Sequence, residues 1–328
     1  MAPSNNPLKK YAHGSDCWAL VTGATGGMGE EWVYQLAALG FNVIIHGRNE
    51  SKLASAKASV QSKYPSIQVK TVVADSGACP PDLSQLEDIF SSNLKLTIVI
   101  NNVGVVSQSY PLLEEVPTQE LLSQISTNAI FPTLIAQRSL PLLKKNQPSL
   151  MVNVASLGAW AATPYLTPYS GAKAYNLHFS RSLYNEMICE GTKVDVVAIA
   201  PGTVISGMNE GPPTMMLPTS EAWVKKAISS LSPGLFSSRP SPVIIPYGPH
   251  AWGNRVLGWM GRSMGDQTVR NVTLDMRKKK MASESSSTMK KPNAEKRTLT
   301  ADSNEHTNGN TSSTATAIDE TSDAHTKQ

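Results

Sequence analysis

The sequence predicts a doubly wound α/β protein, a parallel sheet of about seven strands with helices on both faces, on three observations. Short runs rich in Val, Ile and Leu recur between residues 17 and 246, a helical segment follows nearly every one, and a glycine-rich turn comes directly after the first. Strands buried under helices on both faces read as continuous apolar runs, and their alternation with helices is the pattern of such a sheet. Sheets of this kind bind ligands beyond the carboxyl ends of their strands.

The elements follow in order. CWALVTG (17–23) is the first strand and EEWVYQLAAL (30–39) its helix; FNVIIHG (41–47) is the second strand, followed by ESKLASAKASVQSKY (50–64). IQVKTVVAD (67–75) and PDLSQLEDIF (81–90) form the third pair. LKLTIVINN (94–102) leads to one long helix, TQELLSQISTNAIFPTLIAQRSLPLL (118–143). SLMVNVAS (149–156) precedes YSGAKAYNLHFSRSLYNEMI (169–188), and KVDVVAIAP (193–201) precedes SEAWVKKAISSL (220–231). SPVIIP (241–246) is the seventh strand. No internal repeat is present.

Composition bounds the rest. Of 328 residues, 40% are hydrophobic, which allows a sizeable core. A net charge of +4 over this length is no nucleic-acid signature. Cys17, Cys79 and Cys189 are far apart, with neither metal spacing nor a disulfide framework, and fit a reducing compartment. No apolar run reaches membrane-spanning length, and the polar opening MAPSNNPLKKYAHGSDCW has no signal-peptide core. Residues 1–15 are expected to be flexible, 16–250 to form the sheet domain, and 251–276 to pack on the substrate side. From 277 onward Ser, Thr, Lys, Asn and acidic residues dominate, so 277–328 is expected to be a disordered tail.

Three local patterns carry chemistry. In TGATGGMGE, Gly23, Gly27 and Gly29 lie between a strand and a helix. Glycines there let the backbone turn and approach a pyrophosphate, which the helix N-terminus favours. The second strand ends without the acid an NAD site uses for the ribose; Arg48 stands there, with Lys52 one turn on, and a guanidinium can hold a 2′-phosphate. NADP is therefore the expected cofactor. Tyr169 and Lys173, four apart, share one face of a helix. A phenol with a pKa of about 10 is a poor proton carrier at neutral pH, and a nearby ammonium is expected to lower it. His46 reads as packing, Tyr247 and His250 as a turn, and 251–264 as a helix over the cleft rather than on a bilayer.

Together these motifs resemble the short-chain dehydrogenase/reductases over roughly residues 16–235. TGxxxGxG is Thr22–Gly29, NNAG is the NNVG of Asn101–Gly104, YxxxK is Tyr169–Lys173, and the PG after the sixth strand is Pro201–Gly202. Within the family, the NNVG, YPLLEEVP and PYGPHAWGNRVLGWM segments look like the hydroxysteroid dehydrogenase/very-long-chain 3-ketoacyl-CoA reductase group, with Gly26 replacing a frequent Asp. The resemblance implies a Rossmann fold and an NADPH-dependent reductase that interconverts a hydrophobic ketone, 3-ketoacyl or steroid-like, with a secondary alcohol. It implies catalysis by Asn128, Ser156, Tyr169 and Lys173. It implies cofactor contacts from Gly23, Thr25, Gly27, Met28, Gly29, Arg48, Lys52, Asp75, Asn102, Gly104, Tyr169, Lys173, Pro201, Gly202, Val204 and Ser206. Alternatives are a ketone reductase of a specialised biosynthetic pathway and a non-catalytic NADP-binding sensor. A sensor is expected to have lost Ser156 or the Tyr169–Lys173 pair. The expected setting is the cytoplasm or the cytosolic face of the endoplasmic reticulum; peripheral membrane contact and a homo-oligomer stay open.

Overall fold

Every residue of the first strand, β1 (Cys17–Thr22), is buried, as a strand covered on both faces requires. The computed structural model describes residues 6–14, 16–234 and 237–289. Six more strands follow: β2 (Asn42–Gly47), β3 (Val69–Val73), β4 (Lys95–Asn101), β5 (Ser149–Val154), β6 (Val194–Ile199) and β7 (Val243–Ile244). All pair in parallel, in the order β3-β2-β1-β4-β5-β6-β7. The chain winds outward from β1 to β3, then returns beside β1 as β4. The crevice of a doubly wound sheet therefore opens where β1 and β4 end.

Helices α1 (Gly27–Ala38), α2 (Glu50–Lys63) and α8 (Ser220–Ser229) pack on one face; α3 (Ser84–Phe90), α5 (Phe131–Lys145) and α7 (Thr167–Cys189) pack on the other. Alternate strand residues feed the two layers: Ala19 and Val21 enter the first, Trp18 and Leu20 the second. Between them lie α4 (Thr118–Ile125) and the short α6 (Gly158–Ala161), and α9 (Gly248–Trp259) and α10 (Gly261–Met289) close the described chain. Among the described residues no helix is long and apolar enough to cross a membrane.

Three expectations need correction. The single long helix over 118–143 is interrupted by a π-helical turn at Ser126–Ile130. Pro132 has no N–H to give the carbonyl four residues back, on Asn128. That carbonyl instead accepts from Asn176 Nδ2 of α7 at 3.3 Å, and the Phe131 N–H reaches five residues back to Ser126.

The N-terminal stretch is not flexible throughout: Pro7–Tyr11 forms a 3-10 turn with Leu8 and Tyr11 fully buried. Asp195 on β6 holds it, accepting from the Tyr11 hydroxyl at 2.8 Å and pairing with Lys10 at 2.7 Å and Arg239 at 3.7 Å.

The tail does not begin at 277, because α10 continues to Met289; residues 290–328 lie outside the described residues. The chain divides after Met281, and the first unit holds all seven strands.

Candidate active site

The glycine turn after β1 is built for close approach. Gly23 and Gly27 have left-handed φ values of +64° and +57°, and a Cβ on Gly29 would stand 2.0 Å from the Gly23 carbonyl oxygen. Thr22 and Asn102 tie this turn to the end of β4. Thr22 Oγ1 accepts from the Asn102 and Val103 N–H groups at 3.0 and 3.1 Å, and Asn102 Nδ2 donates to the Thr22 and Gly23 carbonyls at 3.0 and 3.3 Å. The Asn102 NH2 group is thus engaged in holding the turn, while its Oδ1 is buried without a partner among the described residues. Met28 packs against the core. A Cβ on Gly26 would meet nothing within 4 Å, so the turn faces open space at the N-terminus of α1, a geometry that fits a pyrophosphate.

Arg48 and Lys52 are exposed just past β2, and Arg48 has no carboxylate partner among the described residues. Lys52 and Thr25 line a cavity of about 320 Å³ with Ser51 and Ser55. Asp75 lies along a second, of about 680 Å³, with Val105 and Gln124. His46 has both ring nitrogens engaged, accepting from the Gly23 N–H at 3.4 Å and donating to the Ala74 carbonyl at 3.1 Å, and stacks on Phe131. Burial pushes its pKa down to about 4, so it packs as a neutral ring.

The π turn places Asn128. Its fully buried amide donates to the Val105 and Gln124 carbonyls at 2.7 and 2.9 Å and accepts from the Val105 N–H at 3.3 Å. A Cβ on Gly104 would stand 3.1 Å from Asn128 Oδ1 and 3.3 Å from Lys173 Nζ, so glycine lets the loop after β4 pass between them without displacing either. Lys173 Nζ donates to the Val154 carbonyl at the end of β5, at 2.8 Å. The side chain is buried and burial lowers its pKa to about 8.

Tyr169 lies one turn earlier on α7, its ring centroid 5.8 Å from that ammonium. Burial raises the phenol pKa, and a hydrogen bond with Ser156 pulls it back. The expected lowering by Lys173 is not seen: desolvation is the larger influence on Tyr169 and raises its pKa. Ser156 Oγ accepts from the Gly158 N–H at 3.1 Å, which orients the hydroxyl. Ser156 and Tyr169 share a cavity of about 410 Å³ with Leu166, His250, Val272 and Met276.

The PG segment closes this cavity toward the glycine turn. The Pro201 carbonyl accepts from the Leu157 N–H at 2.9 Å, Val204 is buried, and Ser206 Cβ lies 3.0 Å from where a Cβ on Gly27 would stand. His250, read from sequence as part of a turn, is a buried member of the site. Its Nδ1 accepts from the Gly202 N–H and its Nε2 donates to the Met216 carbonyl, each at 3.1 Å. It thereby joins the PG segment to the loop that covers the cavity. Another cavity, of about 570 Å³ between α5 and α7, is lined by Ile130, Leu134 and Tyr175 and holds none of the candidate residues.

The sequence profile of a family described as short chain dehydrogenase matches residues 17–215. A very-long-chain 3-oxoacyl-CoA reductase of Pyricularia oryzae is 32% identical over 82% of this chain and 81% of its own. Another of that name, from Coccidioides immitis, is 34% identical over 75% and 72%. Among solved structures, a 7beta-hydroxysteroid dehydrogenase superposes with a TM-score of 0.66 at 23% identity, covering 81% of this chain and 98% of that one. A short-chain dehydrogenase from Sphingobium yanoikuyae in complex with NADPH gives 0.61 at 21%, covering 75% and 96%. At these identities the structural likeness is one of fold.

Proposed function

This chain belongs to the short chain dehydrogenase family, an oxidoreductase family acting on CH–OH and C=O groups with a nicotinamide dinucleotide, and from that premise we propose that it is an NADPH-dependent ketone reductase whose first substrate class is the 3-oxoacyl-CoA thioesters. The observation that carries the reading is the convergence of Ser156 and Tyr169 on one partly apolar cavity, with Lys173 and Asn128 directly behind them. The likeness to two reductases named for very-long-chain 3-oxoacyl-CoA favours that substrate over a steroid-like ketone or a ketone of a specialised pathway. Retention of all four catalytic positions argues against a non-catalytic sensor.

When bound, the nicotinamide supplies or takes up the hydride. The glycine turn of Gly23, Gly27 and Gly29 and the N-terminus of α1 would receive the pyrophosphate, Asp75, beside its own cavity, would serve the adenine side, and Pro201, Gly202, Val204 and Ser206 would border the nicotinamide. Ser156 donates to the carbonyl oxygen and stabilises the charge that grows there during reduction. Tyr169 would deliver the proton to that oxygen as the general acid. Lys173 would hold the nicotinamide ribose and, with Asn128, would link the site to solvent for proton exchange. The cytosol or the cytosolic face of the endoplasmic reticulum suits three free cysteines.

Arg48 carries the cofactor preference. A charge-assisted hydrogen bond contributes about 1.5–3 kcal/mol, so NADPH should bind roughly 10–100-fold tighter than NADH, and Arg48→Asp should erase or invert that ratio. Fluorescence titration of both cofactors measures it; equal affinities in the wild type count against the assignment. For the substrate, initial rates of NADPH oxidation are compared for long-chain 3-oxoacyl-CoA, steroid and polyketide-like ketones. Turnover confined to either of the last two overturns the acyl-CoA reading.

A further inference from the structure

The last two helices carry side chains that the proposed chemistry leaves without a task. On α9, Trp252, Arg255 and Trp259 are spaced three and four apart and form one exposed stripe, with Trp252 68% and Trp259 88% exposed. Leu257 of the same helix turns inward to line the catalytic cavity. Around the stripe the surface stays apolar. Met216, 46% exposed, has its methyl 3.7 Å from where a Cβ on Gly253 would stand. Trp160 shares a small cavity with Asn254, Gly258 and Gly261, and Met264 is exposed shortly after. Scattered exposed apolar residues are ordinary, but a contiguous patch containing three tryptophans marks an interaction surface, and Trp favours the boundary between headgroups and acyl chains.

Charge identifies the partner. Residues 251–281 hold seven Lys and Arg against two Asp, a net +5 where the whole chain has +4. Among the described residues Arg255, Arg270, Arg277 and Lys278 have no carboxylate within ion-pair distance; Lys279 pairs with Asp275 at 2.7 Å. Arg277 lies over the Tyr165 ring at 4.5 Å, beside the cavity. An apolar aromatic stripe bordered by unpaired cations complements a bilayer that contains acidic lipids.

We propose that α9 and the part of α10 up to Met281 dock on the surface of an anionic bilayer, with Trp252 and Trp259 at headgroup depth and Arg255 among the phosphates. The same helices present Leu257, Val269, Val272 and Met276 to the catalytic cavity, so docking sets the cavity against the lipid. That this delivers a long-chain substrate rests on the proposed function; the docking itself does not.

The test uses the full chain without substrate, in co-sedimentation with phosphatidylcholine vesicles with and without phosphatidylserine. The protein is expected to sediment with the serine-lipid vesicles and to be released by salt. Trp252→Ser/Trp259→Ser is expected to lose at least about tenfold in partitioning, and Arg255→Glu to lose it on acidic vesicles. Both variants are expected to keep the wild-type circular dichroism spectrum and wild-type reduction of a short water-soluble ketone. Wild-type protein left in the supernatant with acidic vesicles, or a double Trp variant that sediments like the wild type, overturns the proposal. So does sedimentation velocity showing a dimer that the Trp variant dissociates while vesicles bind neither form, since the stripe is then a contact between copies. Because vesicle binding is read without turnover, a failed substrate screen leaves it standing.

Discussion

Tyr169→Phe yields a folded protein that binds its cofactor normally and reduces ketones about 10²–10⁴-fold more slowly, the usual contribution of a positioned proton donor. Phe keeps the ring and its place against Ser156 and Leu166 at the cavity wall, and removes only the hydroxyl. That hydroxyl shares the cavity wall with Ser156, whose interaction with it opposes the larger upward effect of burial on its pKa. Stability should change by no more than about 1 kcal/mol, because one hydrogen bond is lost together with the cost of desolvating the group that made it. Single-turnover rates with saturating NADPH read the chemical step, cofactor titration reads binding, and circular dichroism reads the fold. A folded variant that turns over a confirmed substrate near the wild-type rate removes Tyr169 from the mechanism and reopens the sensor alternative.

Tyr169 was singled out in the sequence because YxxxK stands in order with the glycine turn, NNVG and PG, each a local pattern; four-residue spacing alone is common on helices. Most strands were legible because burial on both faces leaves runs rich in Val, Ile and Leu; β3, with exposed Lys70 and Thr71, is the exception. What escaped depends on distance along the chain. His250 meets partners 48 and 34 residues away, at Gly202 and Met216, and no local pattern encodes such contacts. The clasp at Asp195 joins residues 184 apart through Tyr11, in a stretch with too few apolar residues to show a period. The π turn left one sign in the sequence, Pro132, but the apolar spacing runs on across it and reads as one helix. The start of α10's polar half at 277 read as a disordered tail because a polar surface helix and a disordered segment have similar compositions.

Environment escaped for a deeper reason: a pKa is a property of a place. The motif identifies Lys173 as a cation near a phenol, and only the fold shows that this cation is buried behind β5, with the Val154 carbonyl as its hydrogen-bond acceptor. Burial explains why the lysine and the tyrosine shift in opposite directions, each toward its neutral form. Such shifts weaken the fold so that the chemistry is ready, and the cost should be measurable.

Lys173→Met should therefore abolish turnover and yet relieve a stability cost at neutral pH. Folding lowers the lysine pKa from 10.5 to about 8. Below the folded value both states carry the proton, and the folded state bears the full cost of burying a cation, roughly 3 kcal/mol. Between about 8 and 10.5 the unfolded chain binds more protons than the folded one, so the lysine makes wild-type stability rise with pH through that window and leaves it level below about 8. Methionine fills similar space without charge, so it escapes the cost and the pH dependence. It leaves the Val154 carbonyl without its donor, which costs about 1–3 kcal/mol at every pH and sets where the two curves cross. The deciding quantity is the difference in slope: the stability of the Lys173→Met variant relative to wild type declines by about 3 kcal/mol between neutral pH and pH 10.5. Urea denaturation of both proteins across that range measures it, with other titrating groups cancelling in the comparison; parallel curves would refute a buried ammonium. Cofactor affinity should fall as well, since the ammonium holds the ribose in the proposed mechanism. Tyr169→Phe leaves that affinity intact, so the pair of variants separates proton delivery from cofactor positioning.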